Sequence, residues 1–124
     1  MEKPRVVIIE DYASTRKVLR RTLEPYFEIL REISSAEEAL KIIPELKEIQ
    51  PSPVVILDGS IPNSGDGERV AAALRADIPG IRILGLSAED PAYGDINIIK
   101  PGRLAEIREA IQALANAVPG ATFE

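Results

Sequence analysis

Five side chains in this 124-residue sequence could do chemistry together, and they stand at the ends of four short apolar runs. Glu10 and Asp11 follow Arg5–Ile9 (RVVII), and Asp58 follows Val54–Leu57 (VVIL). Ser87 follows Ile81–Leu86 (IRILGL), and Lys100 follows Ile96–Ile99 (INII). Three carboxylates with few neutralising groups suit a small divalent cation, and Mg²⁺ typically takes one or two carboxylates together with waters and phosphate oxygens. A hydroxyl and an ammonium opposite them would hold an oxyanion, most naturally a phosphoryl group. A carboxylate facing the cation could then be the nucleophile of phosphoryl transfer, becoming an aspartyl phosphate. Each residue alone has an ordinary explanation: an acidic turn at Glu10-Asp11, a turn cap at Asp58, a turn hydroxyl at Ser87, a solvated lysine at Lys100. Their joint placement is what points to a site.

That placement depends on the elements between them. Strand-like runs are expected at Arg5–Ile9, Phe27–Ile33, Val54–Leu57, Ile81–Leu86 and Ile96–Ile99, where β-branched and apolar residues cluster. Phe27–Ile33 alternates apolar and charged residues as an edge strand does. Between the strands the spacing becomes helical. One helix is expected from a Ser14 cap through Val18, Leu19 and Leu23 to Pro25. A second opens on the Ser35/Glu38 capping box and runs to Leu46, with Pro44 as a kink or early end. A third covers Glu68–Ala76, and a last one runs from about Arg103 to Val118 with Leu104, Ile107, Ile111, Leu114 and Val118 on one stripe. Alternating strands and helices imply a parallel sheet covered on both faces. Five strands in this length fit the flavodoxin-like doubly wound order 2-1-3-4-5, in one domain over residues 1–124. In that order strands one, three, four and five are neighbours, so all five side chains converge on one edge, the edge where such sheets bind ligands.

Composition narrows the chemistry. The sequence contains no histidine and no cysteine, so imidazole and thiolate are unavailable as base, nucleophile or ligand, and any metal must favour oxygen. A net charge of −5 disfavours nucleic acid as a direct partner. No apolar run approaches the length that crosses a bilayer, and the first residues lead straight into a strand, so no membrane association is expected and a cytoplasmic location is.

The residues at the strand ends resemble those of the receiver domain of two-component response regulators, over essentially the whole chain. Val7-Ile8-Ile9-Glu10-Asp11 is similar to that family's first strand and acidic pair. Asp58-Gly59-Ser60-Ile61-Pro62 with Gly65-Asp66-Gly67 resembles its phosphoacceptor loop, Leu86-Ser87-Ala88 its strand-four hydroxyl motif, and Ile99-Lys100-Pro101 its lysine-proline motif. The resemblance implies a CheY-like fold with Asp58 as the phosphorylated aspartate. It implies that Glu10, Asp11, Asp58 and the backbone carbonyl of Ser60 place Mg²⁺, that Ser87 and Lys100 hold the phosphoryl oxygens, and that Lys100–Pro101 is cis. It further implies a sensor histidine kinase or phosphotransfer protein as donor and a downstream protein as receiver of the signal. The enzymatic activity implied is at most self-phosphorylation and autodephosphorylation.

Two departures stand out. Asn97 occupies the position, three residues before the lysine, where the family carries Tyr or Phe. Only about a dozen residues separate Ser87 from Lys100, and with Pro91 and Gly94 among them the family's fourth helix is expected to be missing or reduced to a turn. The apolar side chains of strands four and five then need another cover: other side chains, a partner, or a second copy in a homodimer through that face. The alternative function is a pseudo-receiver that binds proteins without phosphorylation, favoured by Asn97 and the short connection and opposed by the five retained side chains. A Mg²⁺-dependent phosphohydrolase would want a second aspartate where Ser60 stands. A dinucleotide-binding role would want a glycine-rich loop where Glu10-Asp11-Tyr12 stands.

Overall fold

Runs of β-branched residues become strands, and runs with helical spacing become helices, in a computed structural model described at residues 3–59, 61–87, 93–99 and 104–117. The order is β1 (Arg5–Ile9), α1 (Ala13–Leu23), β2 (Glu28–Ile33), α2 (Ala36–Lys47), β3 (Val54–Asp58), α3 (Asp66–Asp77), β4 (Arg82–Ser87), β5 (Ile96–Ile99) and α4 (Leu104–Asn116). The strands form one sheet in the order β2-β1-β3-β4-β5. Every pairing is parallel. This is the expected flavodoxin-like order, with β3 at the centre buried along its whole length.

Alternation along the strands divides the core into two layers. Val7, Ile9, Val55, Leu57 and Ile83 face α2 and α3, packing with Ala39, Ile43, Leu46, Val70 and Leu74. Val6, Ile8, Ile56, Leu84 and Leu86 face α1 and α4, packing with Leu19, Leu23, Ile107, Ile111 and Leu114. Phe27, just before β2, is fully buried in this second layer. Full burial of such a side chain contributes roughly 1.5–3 kcal/mol.

Several local expectations need correction. Ser14 lies inside α1; the capping position is Tyr12, with extended backbone and no side-chain cap. Val18 is exposed, because the stripe that meets the sheet is Leu19 and Leu23. Ser35 does cap α2, its hydroxyl accepting from the Glu38 N–H at 3.2 Å, while the Glu38 carboxylate accepts from the Ser34 hydroxyl. Pro44 neither ends nor shortens α2, which runs on to Lys47. Leu104 is exposed at the start of α4, and Val118 lies outside the described residues.

Among the described residues no helix stands between β4 and β5. The described residues before β5, Tyr93–Asp95, turn back against β4. Asp95 donates its N–H to the Ile83 carbonyl at 2.7 Å and accepts the Ile83 N–H on its carboxylate at 2.7 Å. Arg75 and Arg82 flank that carboxylate at 3.7 and 3.9 Å. The Arg75 guanidinium also donates to the Tyr93 carbonyl at 2.7 Å, tying the turn to α3. Gly94 lies flat on β4: a Cβ there would come within 2.5 Å of the Gly85 nitrogen and 2.7 Å of the Ile96 carbonyl oxygen. The turn covers β4, and Ile99 at the end of β5 remains 71% exposed.

Candidate functional site

β1 and β3 are adjacent and in register, with Ile9 opposite Leu57, so the residues that follow them emerge side by side at the carboxyl edge of the sheet. Glu10, Asp11 and Asp58 each offer a carboxylate oxygen within 4.8 Å of the others. Glu10 is 1% exposed and Asp58 7%, while Asp11 is half-buried. Confining three carboxylates this closely is unfavourable unless a positive charge joins them. The donors are hard oxygens on a small radius, which fits Mg²⁺ and not a softer metal.

The acidic pair is held by its backbone. The Glu10 N–H donates to the Ile33 carbonyl at 2.9 Å, and the Arg16 guanidinium of α1 donates to the Glu10 carbonyl at 2.8 Å. Arg16 thus fixes the β1–α1 loop from its backbone side.

Strand pairing also brings in Ser87. Asp58 is opposite Leu86, and Ser87 lies one residue further along the same edge, opposite Ile99. Its Oγ sits 2.9 Å from where a Cβ on Gly59 would be, so glycine after Asp58 makes room for the hydroxyl. Of the residues singled out in the sequence, the structure therefore brings together Glu10, Asp11, Asp58 and Ser87. Ser60, Lys100 and the Lys100–Pro101 bond lie outside the described residues.

Two residues that sequence reasoning treated as loop are built into the site's foundations. Asp66, at the first turn of α3, is 6% exposed and accepts from the Asn63 N–H at 2.8 Å and from Arg69 at 3.1 Å. Burial opposes its charge, but the backbone N–H of Asn63, the Arg69 guanidinium and the backbone of Ile61 together hold its carboxyl below the usual range. The other is Tyr93. Its ring is buried among the α2–α3 layer, and its hydroxyl lies 2.7 Å from the Leu57 carbonyl and 3.1 Å from the Leu86 carbonyl. Burial first, and the Asp58 charge second, push its phenol above its ordinary value, so it stays a neutral donor. An aromatic flanked by Ala92 and Gly94 carries no sequence signal of burial.

No protein-family model and no curated protein sequence matches this chain. Solved structures do. The signal receiver domain of NarL from Mycobacterium tuberculosis superposes with a TM-score of 0.79 at 27% identity, covering 95% of this chain and 100% of that one. The response regulator domain of Thermotoga maritima CheB gives 0.77 at 23% identity, covering 95% and 100%. A CheY-like response regulator receiver domain protein from Methanospirillum hungatei JF-1 gives 0.77 at 18% identity, covering 93% and 95%. The fold is that of a receiver domain. In this fold the chain has four described helices, and its acidic cluster lies at the carboxyl edge of β1 and β3. Among the described residues no helix is long and apolar enough to cross a membrane.

Proposed function

We propose that this chain, as one domain over residues 1–124, is the phosphoacceptor receiver of a two-component phosphorelay. Asp58 is the acceptor. One of its carboxylate oxygens attacks the phosphorus of a phosphohistidine on a sensor kinase or phosphotransfer protein, the P–N bond breaks, and its electron pair leaves with the imidazole. The result is an acyl phosphate on Asp58. Glu10, Asp11, Asp58 and the Ser60 carbonyl would hold Mg²⁺, which when bound neutralises charge on the transferring group. Ser87 donates its hydroxyl to one phosphoryl oxygen and Lys100 pairs with another. The chain's own catalysis is confined to gaining and losing this group, and its output is contact with a downstream protein in the cytoplasm. Nucleic acid has no part in this reading, since the net charge is −5.

The observation that carries the proposal is the convergence of three carboxylates within 4.8 Å at the ligand-binding edge of a receiver fold. One observation favours a second reading, a pseudo-receiver that binds partners without phosphorylation. Asn97 is hydrogen-bonded into the β4–β5 turn, in place of an aromatic free to move. Intact mass after incubation with acetyl phosphate decides between them. A single phosphoryl adduct that needs Mg²⁺ and is absent in Asp58→Asn supports the phosphoacceptor. No adduct, with no Mg²⁺ binding by calorimetry, supports the pseudo-receiver.

A further inference from the structure

A phenylalanine would fill the space beneath Asp58 as well as Tyr93 does; the hydroxyl is what needs explaining. A buried hydroxyl must find partners, and this one meets two carbonyls far apart in sequence, those of Leu57 and Leu86. A carbonyl oxygen lies in the rigid peptide plane that leads to the next residue. The two planes gripped by Tyr93 therefore lead directly into Asp58 and Ser87. The Leu86 carbonyl also accepts the Gly59 N–H at 3.1 Å, so the residue after Asp58 is tied to the same oxygen. Close packing leaves the ring little freedom: a Cβ on Gly67 would sit 2.9 Å from its Cζ. Its own backbone is anchored separately through Arg75.

We propose that Tyr93 is a positioning residue for phosphoryl transfer, its hydroxyl fixing the spacing between the Asp58 carboxylate and the Ser87 hydroxyl. This rests on Asp58 being the phosphoacceptor and goes beyond it. The clamp comes from Tyr93, at the described turn just before β5, so that turn serves the site from below. Asp58 and Ser87 lie on adjacent strands, whose ends are joined near the site by strand pairing and by the Gly59–Leu86 bond. The one Tyr93 proton, nearer the Leu57 carbonyl and shared with the Leu86 carbonyl, restrains the two peptide planes that lead into them.

The test is the rate of adduct formation from acetyl phosphate with saturating Mg²⁺, by intact mass, in wild type, Tyr93→Phe, Ser87→Ala and the double variant. Misplacing a reacting group by an ångström can lower a rate about a hundredfold, so a partial relaxation lowers the maximal rate of Tyr93→Phe by about tenfold. Half-saturating acetyl phosphate stays within about twofold, because a loss of positioning realised in the transition state acts on the maximal rate. In the Ser87→Ala background the effect of Tyr93→Phe collapses, since the hydroxyl being positioned is gone. Arg75→Gln, which loosens Tyr93 without touching its ring, lowers the same rate by a smaller factor and covers the case in which Tyr93→Phe folds poorly. A Tyr93→Phe rate equal to wild type overturns the proposal, as does a loss that persists undiminished without the Ser87 hydroxyl. A wild-type chain that takes no adduct removes the phosphoacceptor reading itself, which is a separate and recognisable failure.

Discussion

Asn97 holds Gly94 from both sides: its Oδ1 accepts the Gly94 N–H at 2.8 Å, and its Nδ2 donates to the Gly94 carbonyl at 2.9 Å. This closes the β4–β5 turn like a ring. Asn97 stands where a receiver resemblance would put Tyr or Phe, and in this chain the position fastens the turn. Gly94 must be glycine for a complementary reason, since its neighbours are main-chain atoms that cannot step aside.

Replacing Asn97 therefore does not restore a switch; it opens the turn. Asn97→Ala loses two hydrogen bonds at an exposed position and is expected to cost about 1 kcal/mol, read as a lower urea midpoint. Asn97→Tyr loses the same bonds and is expected to be at least as destabilised. An Asn97→Tyr variant more stable than wild type would refute this structural role for the asparagine.

The strands and their order were legible because each apolar run is short, β-branched and cut off by acids, proline or glycine. The same punctuation put Glu10, Asp11, Asp58 and Ser87 at one edge, once strand order was inferred from parallel alternation. What the sequence concealed depends on three-dimensional neighbours. Val18 fits a helical stripe as well as Leu19 does, and only the position of the sheet decides which is buried. Ser14 looks like a cap, yet the chain leaves β1 so that helical geometry begins at Ala13. Tyr93 lies in a stretch that reads as surface loop, and its burial follows from the close approach of the β4–β5 turn to α3. Asp66 read as part of a breaker loop because its partners, Asn63 and Arg69, are recognised only once α3 is seen to start at Asp66.

Gly67 is the point where α3 meets the candidate site. A Cβ there would lie 2.8 Å from the Asp58 carbonyl oxygen and 2.8 Å from the Gly59 Cα, both main-chain atoms. The Gly67 N–H also donates to the Gly59 carbonyl at 3.1 Å. Gly67→Ala must push α3 away from β3, an overpacking expected to cost about 1–3 kcal/mol in chemical denaturation. Because the displaced atoms belong to Asp58 and Gly59, Mg²⁺ affinity by calorimetry is expected to fall as well.

Asp66 should leave a signature in acid. Its folded carboxyl is held below the usual value, so its contribution to stability is complete above the unfolded value of about 3.9 and is lost as pH falls through the lower folded value. At neutral pH, Asp66→Ala is expected to cost about 1–3 kcal/mol, as removal of a buried charged acceptor does. The gap between the urea midpoints of wild type and Asp66→Ala is expected to narrow as pH drops below about 4. A gap that stays constant down to the acid transition would mean that the carboxylate's charge contributes nothing.

The acidic cluster makes the opposite prediction for a metal-free buffer. Glu10, Asp11 and Asp58 repel one another across less than 4.8 Å, and Asp11 is the least buried of the three. Neutralising it as Asp11→Asn removes that repulsion with little loss of packing, so the variant is expected to be more stable than wild type by about 1 kcal/mol without divalent cations. Adding Mg²⁺ reverses the order. Wild type gains stability as RT ln(1 + [Mg²⁺]/Kd), about 2.7 kcal/mol at a hundred times Kd, whereas the variant has lost a ligand and gains less. Thermal melts of both proteins across a Mg²⁺ titration are therefore expected to cross. If wild type shows no stabilisation at millimolar Mg²⁺ while Asp11→Asn is still the more stable protein, the cluster is a strained acidic turn and not a metal site.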